Sequence, residues 1–297
     1  MKNKIHDIRL IQLLELQTLI EIDKYCKNLN IKYYLIAGTL LGSIRHKGFI
    51  PWDTDMDIAM YRKDYDNFLK NALKTFDKRY YIQSDINDNK NRTCFTKVRL
   101  KGTYINERGN KRTEKNHGFY VDIFPLDDIS KKPNIFEYYK AKFYKILIRV
   151  KAFKNGKKFS SNFLRTMLSY IISIITVFIP VKFINKFLYK SMTKENNLGH
   201  KYITNYNSKY GIIKQTMKKN IYGESKKIEF EKFYFDAPNK YEEWLNKIYG
   251  DYNMMPKKIP DLDKLLTNYD YSFGQYDFLL KYDEEKIRNI LFNKGVE

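Results

Sequence analysis

Apolar residues at Ile8, Ile11, Leu14, Leu19 and Ile22, with polar residues between them, have the spacing of an amphipathic helix over 5–29. The run "IKYYLIAGT" (31–39) reads as an apolar strand ending in Gly38 and Thr39, and "LLGSIRHKG" as a short helix and turn. "DTDMDIAM" (53–60) has the alternation of a second strand. "KDYDNFLKNALKTF" (63–76) is a helix whose start is marked by Asp64. "CFTKVRLKGTYI" and "GFYVDIFPLD" are two more alternating strands, separated by a polar loop. This order predicts an α+β unit over 1–128, a mixed sheet flanked by helices. A basic, largely helical region follows over 129–201. The last region, 202–297, contains "FYFDAPNKYEEWLNKIYGDYNMMP", a strand, a helix and an aromatic, proline-punctuated loop. No internal repeat interrupts the pattern.

Charge sharpens this division. The 297 residues carry a formal net charge of +21, which calls for an anionic partner: nucleic acid, an anionic membrane surface or a phosphorylated substrate. Between Lys131 and Lys201 stand 16 Lys and Arg against two Glu, so a local +14 sits in about a quarter of the chain. Within that region "TMLSYIISIITVFIPV" (166–181) has no charge at all. It is shorter than the roughly 20 residues of a spanning helix. Its basic flanks, "KAFKNGKKF" and "KFINKFLYK", suit an element lying in a membrane interface; the alternatives are a buried core helix and a true span. Only two cysteines occur, Cys26 and Cys94, in no metal-type spacing, which suits a reducing compartment. "MKNKIHDIRLIQLLELQ" lacks the features of a signal peptide, so a cytoplasmic location is expected.

The chemistry centres on Asp53, Asp55 and Asp57. Every second residue of a strand faces the same way, so the pattern predicts three carboxylates on one face. Like charges at that spacing repel unless a cation lies between them. Asp122, in the apolar strand "HGFYVDIFPLD", is a further carboxylate needing a partner. Carboxylates from neighbouring strands form a hard-oxygen site suited to Mg²⁺ or Mn²⁺, with coordination positions left for phosphate oxygens. Gly38 and Thr39, between a strand and a short helix, would let the backbone approach a phosphate. Gly-Thr, a carboxylate pair and a third strand carboxylate follow one another as in the nucleotidyltransferase fold.

The stretch "CKNLNIKYYLIAGTLLGSIRHKGFIPWDTDMDIAM" is similar to the signature of the LicD family of phosphotransferases, which includes fukutin-like proteins. "HGFYVDIFPLD" and "YGDYNMMP" resemble that family's later blocks, in the same order. The resemblance covers most of 1–128 and about 229–256. It implies metal-dependent transfer of a phospho-alcohol, such as phosphocholine or ribitol phosphate, from a CDP-activated donor to a sugar hydroxyl of a glycan or glycolipid. Thr54 stands where many relatives carry another aspartate, which favours Asp55 and Asp57 as the Mg²⁺ ligands. Asp53 is then an outer or second-metal ligand, and Asp122 a third ligand or the base that takes the acceptor proton.

Other residues carry two readings each. Arg45 and His46, and less so Lys47, stand where they would meet a diphosphate, or else form a solvated basic turn. Lys97 and Arg99, two apart on one strand, would grip phosphate oxygens or make cross-strand ion pairs. His117 matches the family block. Trp52, Phe49 and Pro51 read as packing behind the aspartates, with base stacking an alternative for Trp52. Tyr249–Pro256 reads as structural. Two rival functions remain: a nucleotidyltransferase using an NTP, and a non-enzymatic nucleic-acid-binding protein. Against the second, the basic residues gather around an apolar run rather than among stacking aromatics.

Overall fold

The structure, a computed structural model, describes residues 4–88, 91–107, 117–154, 167, 178–256 and 258–292. Most of the apolar run 166–181 therefore lies outside the described residues. In chain order the first elements are α1 (Lys4–Asn28), β1 (Tyr34–Leu35), α2 (Ala37–Arg45), β2 (Met56–Tyr61) and α3 (Arg62–Thr75). Then come β3 (Tyr80–Gln83), β4 (Thr96–Leu100), β5 (Tyr104–Glu107), β6 (Tyr120–Ile129) and α4 (Ile135–Lys154). A helix over Val181–Thr193 leads to β7 (Tyr202–Thr204), β8 (Met217–Lys218) and the hairpin β9 (Lys226–Phe230) and β10 (Phe233–Ala237). The helix Tyr241–Tyr249, β11 (Tyr269–Ser272) and the helix Glu284–Phe292 close the chain.

The central sheet is mixed and has seven strands, with β1-β2-β6-β4-β3 in order and β7 and β8 continuing from the far half of β6. Among the described residues only β2 and β6 run parallel in this sheet. Along its other edge β6 pairs with β4 through Tyr120–Ile123 and with β7 through Asp127–Ile129. Pro125, which has no N–H to donate, falls in the gap between these two ladders. The α+β class with a helix-flanked mixed sheet is thus as expected. No helix among the described residues is long and apolar enough to cross a membrane.

Three elements depart from the sequence pattern. The apolar run 31–39 pairs only at Tyr34–Leu35, because the chain turns at Ala37, whose φ is +50°, and puts Gly38 and Thr39 in the first turn of α2. The strand predicted from Asp53 begins at Met56, so Asp57 alone of the three aspartates stands on β2. Asp53 and Asp55 lie on the approach to it, where the Asp53 N–H donates to Ile50 O at 2.9 Å and closes a turn. The strand predicted over 94–105 breaks at Gly102, at φ +79°, and β5 leaves the sheet to pair with β11.

α1 is buried along most of its length and packs on β2, β4 and β6, with the helix Glu284–Phe292 against it. Leu10, Leu13, Leu14 and Leu19 of α1 belong to the main core, with Ile58, Val98 and Ile123 of the sheet and Trp244 from beyond it. A smaller core joins α4 to the helix Val181–Thr193 through Ala141, Tyr144, Ile184, Leu188 and Met192. Where the two meet, Arg62 at the start of α3 forms a bidentate pair with Asp127 of β6, both bonds 2.8 Å. Asn196 donates to the same carboxylate at 2.9 Å.

Both groups of that pair are nearly inaccessible, with 11% and 1% of their side chains exposed. Removing one partner strands the other charge away from water. Asp127→Ala should therefore lower unfolding free energy by roughly 3–5 kcal/mol in urea titrations, and Arg62→Met on that background should recover much of the loss. A loss under about 1 kcal/mol for Asp127→Ala would show that the pair does not clamp α3 to β6.

Candidate active site

α1 pins the segment that carries the aspartates. Gln12 donates from Nε2 to Asp53 O at 2.8 Å and to Ile50 O at 3.4 Å. The first turn of α2 holds the other side. Thr39 Oγ1 accepts the Asp57 N–H at 2.8 Å, and the Ile36 N–H donates to Asp57 O at 3.1 Å. Gly38 makes the close approach possible: a Cβ there would lie 2.1 Å from Asp53 Oδ2.

These contacts set the three aspartates along one cleft of about 310 Å³. Gly38, Leu41 and Arg45 of α2 form one wall, with Ile50 and Trp52 beside the carboxylates. Lys209 and Tyr210 form a second wall, and Tyr249, Asp251, Tyr252, Met254 and Pro256 a third. Arg45 ties the first to the third, donating from Nη1 to Tyr252 O at 3.4 Å and Met254 O at 3.2 Å. Tyr210 donates its hydroxyl to Tyr249 at 2.9 Å and closes the second wall on the third.

Asp122 stands directly across the parallel ladder from Asp57, and Lys97 lies opposite Asp122 on β4. Lys97 Nζ reaches both Asp122 oxygens, at 2.6 and 2.8 Å, and lies 3.6 Å from the centre of the Tyr120 ring. Arg99 is buried, donating to Gln83 Oε1 at 2.7 Å and Gly118 O at 2.9 Å. His117 is also buried, near Tyr104. Neither Asp122, Lys97, Arg99 nor His117 lines the cleft, and nor does His46, whose ring meets the edge of Trp52. Gly38, Arg45, Asp53, Asp55 and Asp57 do; Thr39 acts behind them through the Asp57 backbone.

The electrostatics are dominated by crowded negative charge. Burial, then the Asp55 charge and a hydrogen bond with Asp55, push the Asp53 carboxyl well above its usual range. Burial, followed by Asp55, Asp122 and Asp53, does the same to Asp57. Asp122 is pushed up to about 6 by burial, with Lys97 working against the shift. Glu15 of α1, outside the cleft lining, feels the same charges. It is 1% exposed, neither carboxylate oxygen has a hydrogen-bond partner, and burial with the Asp55, Asp53 and Asp122 charges raises it strongly. The Lys209 ammonium faces the same charges: partial burial lowers its pKa, but Tyr210, Asp55, Asp57 and Asp53 more than offset this. Burial and the neighbouring Arg45 lower His46, which favours the neutral ring.

A divalent cation fits the donor chemistry of this cluster. Burial and the neighbouring Asp55 charge disfavour the ionised form of Asp53, a penalty that a proton or a bound cation relieves. The fit is not that of a closed cage, since no group of three or more His, Cys, Asp or Glu side chains among the described residues has the arrangement of a metal site. Asp122 has both oxygens engaged by Lys97. Asp53, Asp55 and Asp57, by contrast, line the cleft itself.

Several residues in or near the cleft escaped the sequence reading. Glu15 left a signal, a lone acid between leucines in the apolar helix "LLELQ". Lys209 left none, because nothing in "NYNSKYG" places it opposite residues 53–57. The segment Tyr249–Pro256, read as structural, supplies a whole wall. It bears no cluster of ligating residues, so only the folded chain shows where it goes.

The family described as "LicD/FKTN/FKRP, nucleotidyltransferase domain" matches residues 30–182. The chain belongs to that family and is a phosphotransferase. It is 28% identical over 235 residues to the lipopolysaccharide cholinephosphotransferase LicD of Haemophilus influenzae, covering 78% of this chain and 85% of that protein. The ribitol 5-phosphate transferases FKRP of mouse and human are each 46% identical over 37 residues, 12% of this chain and 8% of theirs.

Because Gly38 gives Asp53 its position, Gly38→Ala should move that carboxylate without disturbing the core. Turnover should fall roughly a hundredfold, the usual consequence of an ångström-scale misplacement. The melting temperature should stay close to that of the parent. Parental turnover in Gly38→Ala would mean that the placement of Asp53 is immaterial.

Proposed function

We propose that the protein transfers a phospho-alcohol, phosphocholine or a close analogue, from a CDP-activated donor to a sugar hydroxyl of a cell-surface glycan or glycolipid. The observation that carries this reading is the cleft itself, three clustered aspartates on one side and Lys209 and Arg45 on the others. The extended similarity to a cholinephosphotransferase supports the choice of donor. In the reaction the acceptor oxygen attacks the phosphorus that bears the alcohol. The bond to the bridging oxygen breaks, CMP departs, and the hydroxyl proton passes to a base.

Each group has a part in that scheme. Asp53, Asp55 and Asp57 would hold Mg²⁺ or Mn²⁺, which supplies charge neutralisation for the diphosphate. Lys209 and Arg45 face the same space and would take the outer phosphate oxygens and the charge developing on CMP. Trp52 offers a flat apolar surface beside them. Asp122, pushed up to about 6 but held by Lys97 outside the cleft lining, would serve as base or further ligand only on leaving that pair. The inner face of the membrane is our inferred place of work, with peripheral attachment to anionic lipid near a lipid-linked acceptor.

The test is a panel of CDP-alcohols, with labelled CTP alongside, scored for the product released in the presence of a membrane glycolipid fraction. CMP release from one CDP-alcohol with label in the glycan is the expected result. Asp55→Asn and Asp57→Asn should each abolish it by several orders of magnitude with the fold intact, as should excess EDTA. Pyrophosphate release from CTP would instead make the protein a nucleotidyltransferase, and full activity in either variant would displace the site.

A further inference from the structure

The two helices of the smaller core each have one face more than that core uses. α4 buries Ala141, Tyr144 and Val150, and the helix Val181–Thr193 buries Ile184, Leu188 and Met192. On α4 a second stripe, Phe136, Tyr139, Phe143 and Ile146, recurs at helical spacing and is exposed, Phe136 at 78%. On the other helix Phe183 and Phe187 are exposed one turn apart, at 64% and 48%. The rings of Phe143 and Phe187 meet edge to face at 6.1 Å, so the two stripes form one surface. Soluble surfaces seldom leave aromatics clustered in this way without a partner.

Charge identifies the partner. Lys182, Lys186 and Lys190 alternate with Phe183 and Phe187, and all three are exposed. That helix, "VKFINKFLYKSMT", contains no acidic residue. On α4 Lys142 is exposed beside Phe143, and the one acid of that helix, Glu137, is already paired with Lys140 at 3.3 Å. Aromatic rings flanked by lysines, on helices lying side by side, suit an anionic bilayer surface: rings enter the headgroup layer and ammonium groups remain among the phosphates. A protein partner of ordinary surface composition would not require so one-sided a charge.

We propose that the exposed face shared by α4 and the helix Val181–Thr193 docks this protein on an anionic lipid surface through Phe136, Phe143, Phe183 and Phe187. The face is formed by described residues and needs no contribution from the apolar run 166–181. It deepens the membrane placement inferred above and does not depend on which donor is used. Docking would fix the orientation of the cleft relative to the surface and raise the effective concentration of a lipid-linked acceptor.

Sedimentation of the full chain with vesicles tests this. One set is phosphatidylcholine alone, the other phosphatidylcholine and phosphatidylglycerol in equal parts. The protein should partition to the anionic vesicles at low salt and much less to the neutral ones. Phe143→Ser with Phe183→Ser and Phe187→Ser should reduce partitioning at least about tenfold. Lys182→Gln, Lys186→Gln and Lys190→Gln should each reduce it up to about fivefold and weaken the salt dependence. Circular dichroism melts should be unchanged in all of them, because the substituted side chains lie outside the smaller core. Failure of the parent to bind anionic vesicles overturns the proposal, as does undiminished binding by the triple Phe variant. So does a finding that these substitutions abolish a dimer or RNA binding while vesicles are ignored. Transfer from a CDP-alcohol to a soluble acceptor, with no vesicle binding, would sink this inference and leave the proposed function standing.

Discussion

Repulsion among buried carboxylates is the constraint around which this protein is arranged. Asp53, Asp57, Asp122 and Glu15 are all raised, first by burial and then chiefly by one another and by Asp55, with Lys97 opposing the shift at Asp122 and Glu15. A chain selected only for stability would replace such a cluster with apolar residues. Here the surrounding structure instead holds it in place. Gln12 pins the backbone at Asp53, Thr39 pins Asp57, Lys97 answers Asp122, and the missing Cβ at Gly38 leaves Asp53 its room. Lys209 feels the charge of the cluster, and Arg45 lines the same cleft. The proposed transfer calls for this combination, carboxylates that a metal ion would neutralise and cations that would take phosphate oxygens.

Much of this was legible from spacing. The alternation in 118–127 and the helical period of 5–29 correspond to β6 and α1, and Asp53, Asp55 and Asp57 all line the cleft. The geometry behind that series was different from the one expected. Only Asp57 is on a strand, and a turn closed by Ile50 O, rather than strand alternation, directs Asp53. Period-two spacing in a loop and in a strand look alike in one dimension. Lys97 and Arg99 show a related limit. Both alternatives for the pair were visible, and the cross-strand pair with Asp122 became evident only when the β4–β6 register was known. Lys209 and the wall from Tyr249 to Pro256 come from distant parts of the chain, so local pattern had no access to their position.

The basic region shows how charge and shape divide the work. Its net charge pointed to an anionic partner, but its most apolar run lies mostly outside the described residues. The exposed rings instead belong to two well-formed amphipathic helices packed on a core of their own. β7 follows them and extends the sheet from β6, and the turn at Lys209 comes just after β7. One continuous stretch of chain thus links the aromatic face to a wall of the cleft.

Calorimetric melting of the protein in EDTA and in excess Mg²⁺ tests most directly the proposal that the carboxylate cluster requires a cation. Carboxyls whose folded-state pKa is raised hold protons that the unfolded chain has released, so their contribution to stability is complete at acid pH and is lost as pH rises through the folded value. In EDTA that loss is unrelieved at about pH 8, whereas bound Mg²⁺ replaces the missing protons. The predicted result is a Mg²⁺-induced rise in melting temperature that is large at about pH 8, small at about pH 5 and absent in Asp57→Asn. Identical melting with and without Mg²⁺ at the higher pH would contradict it.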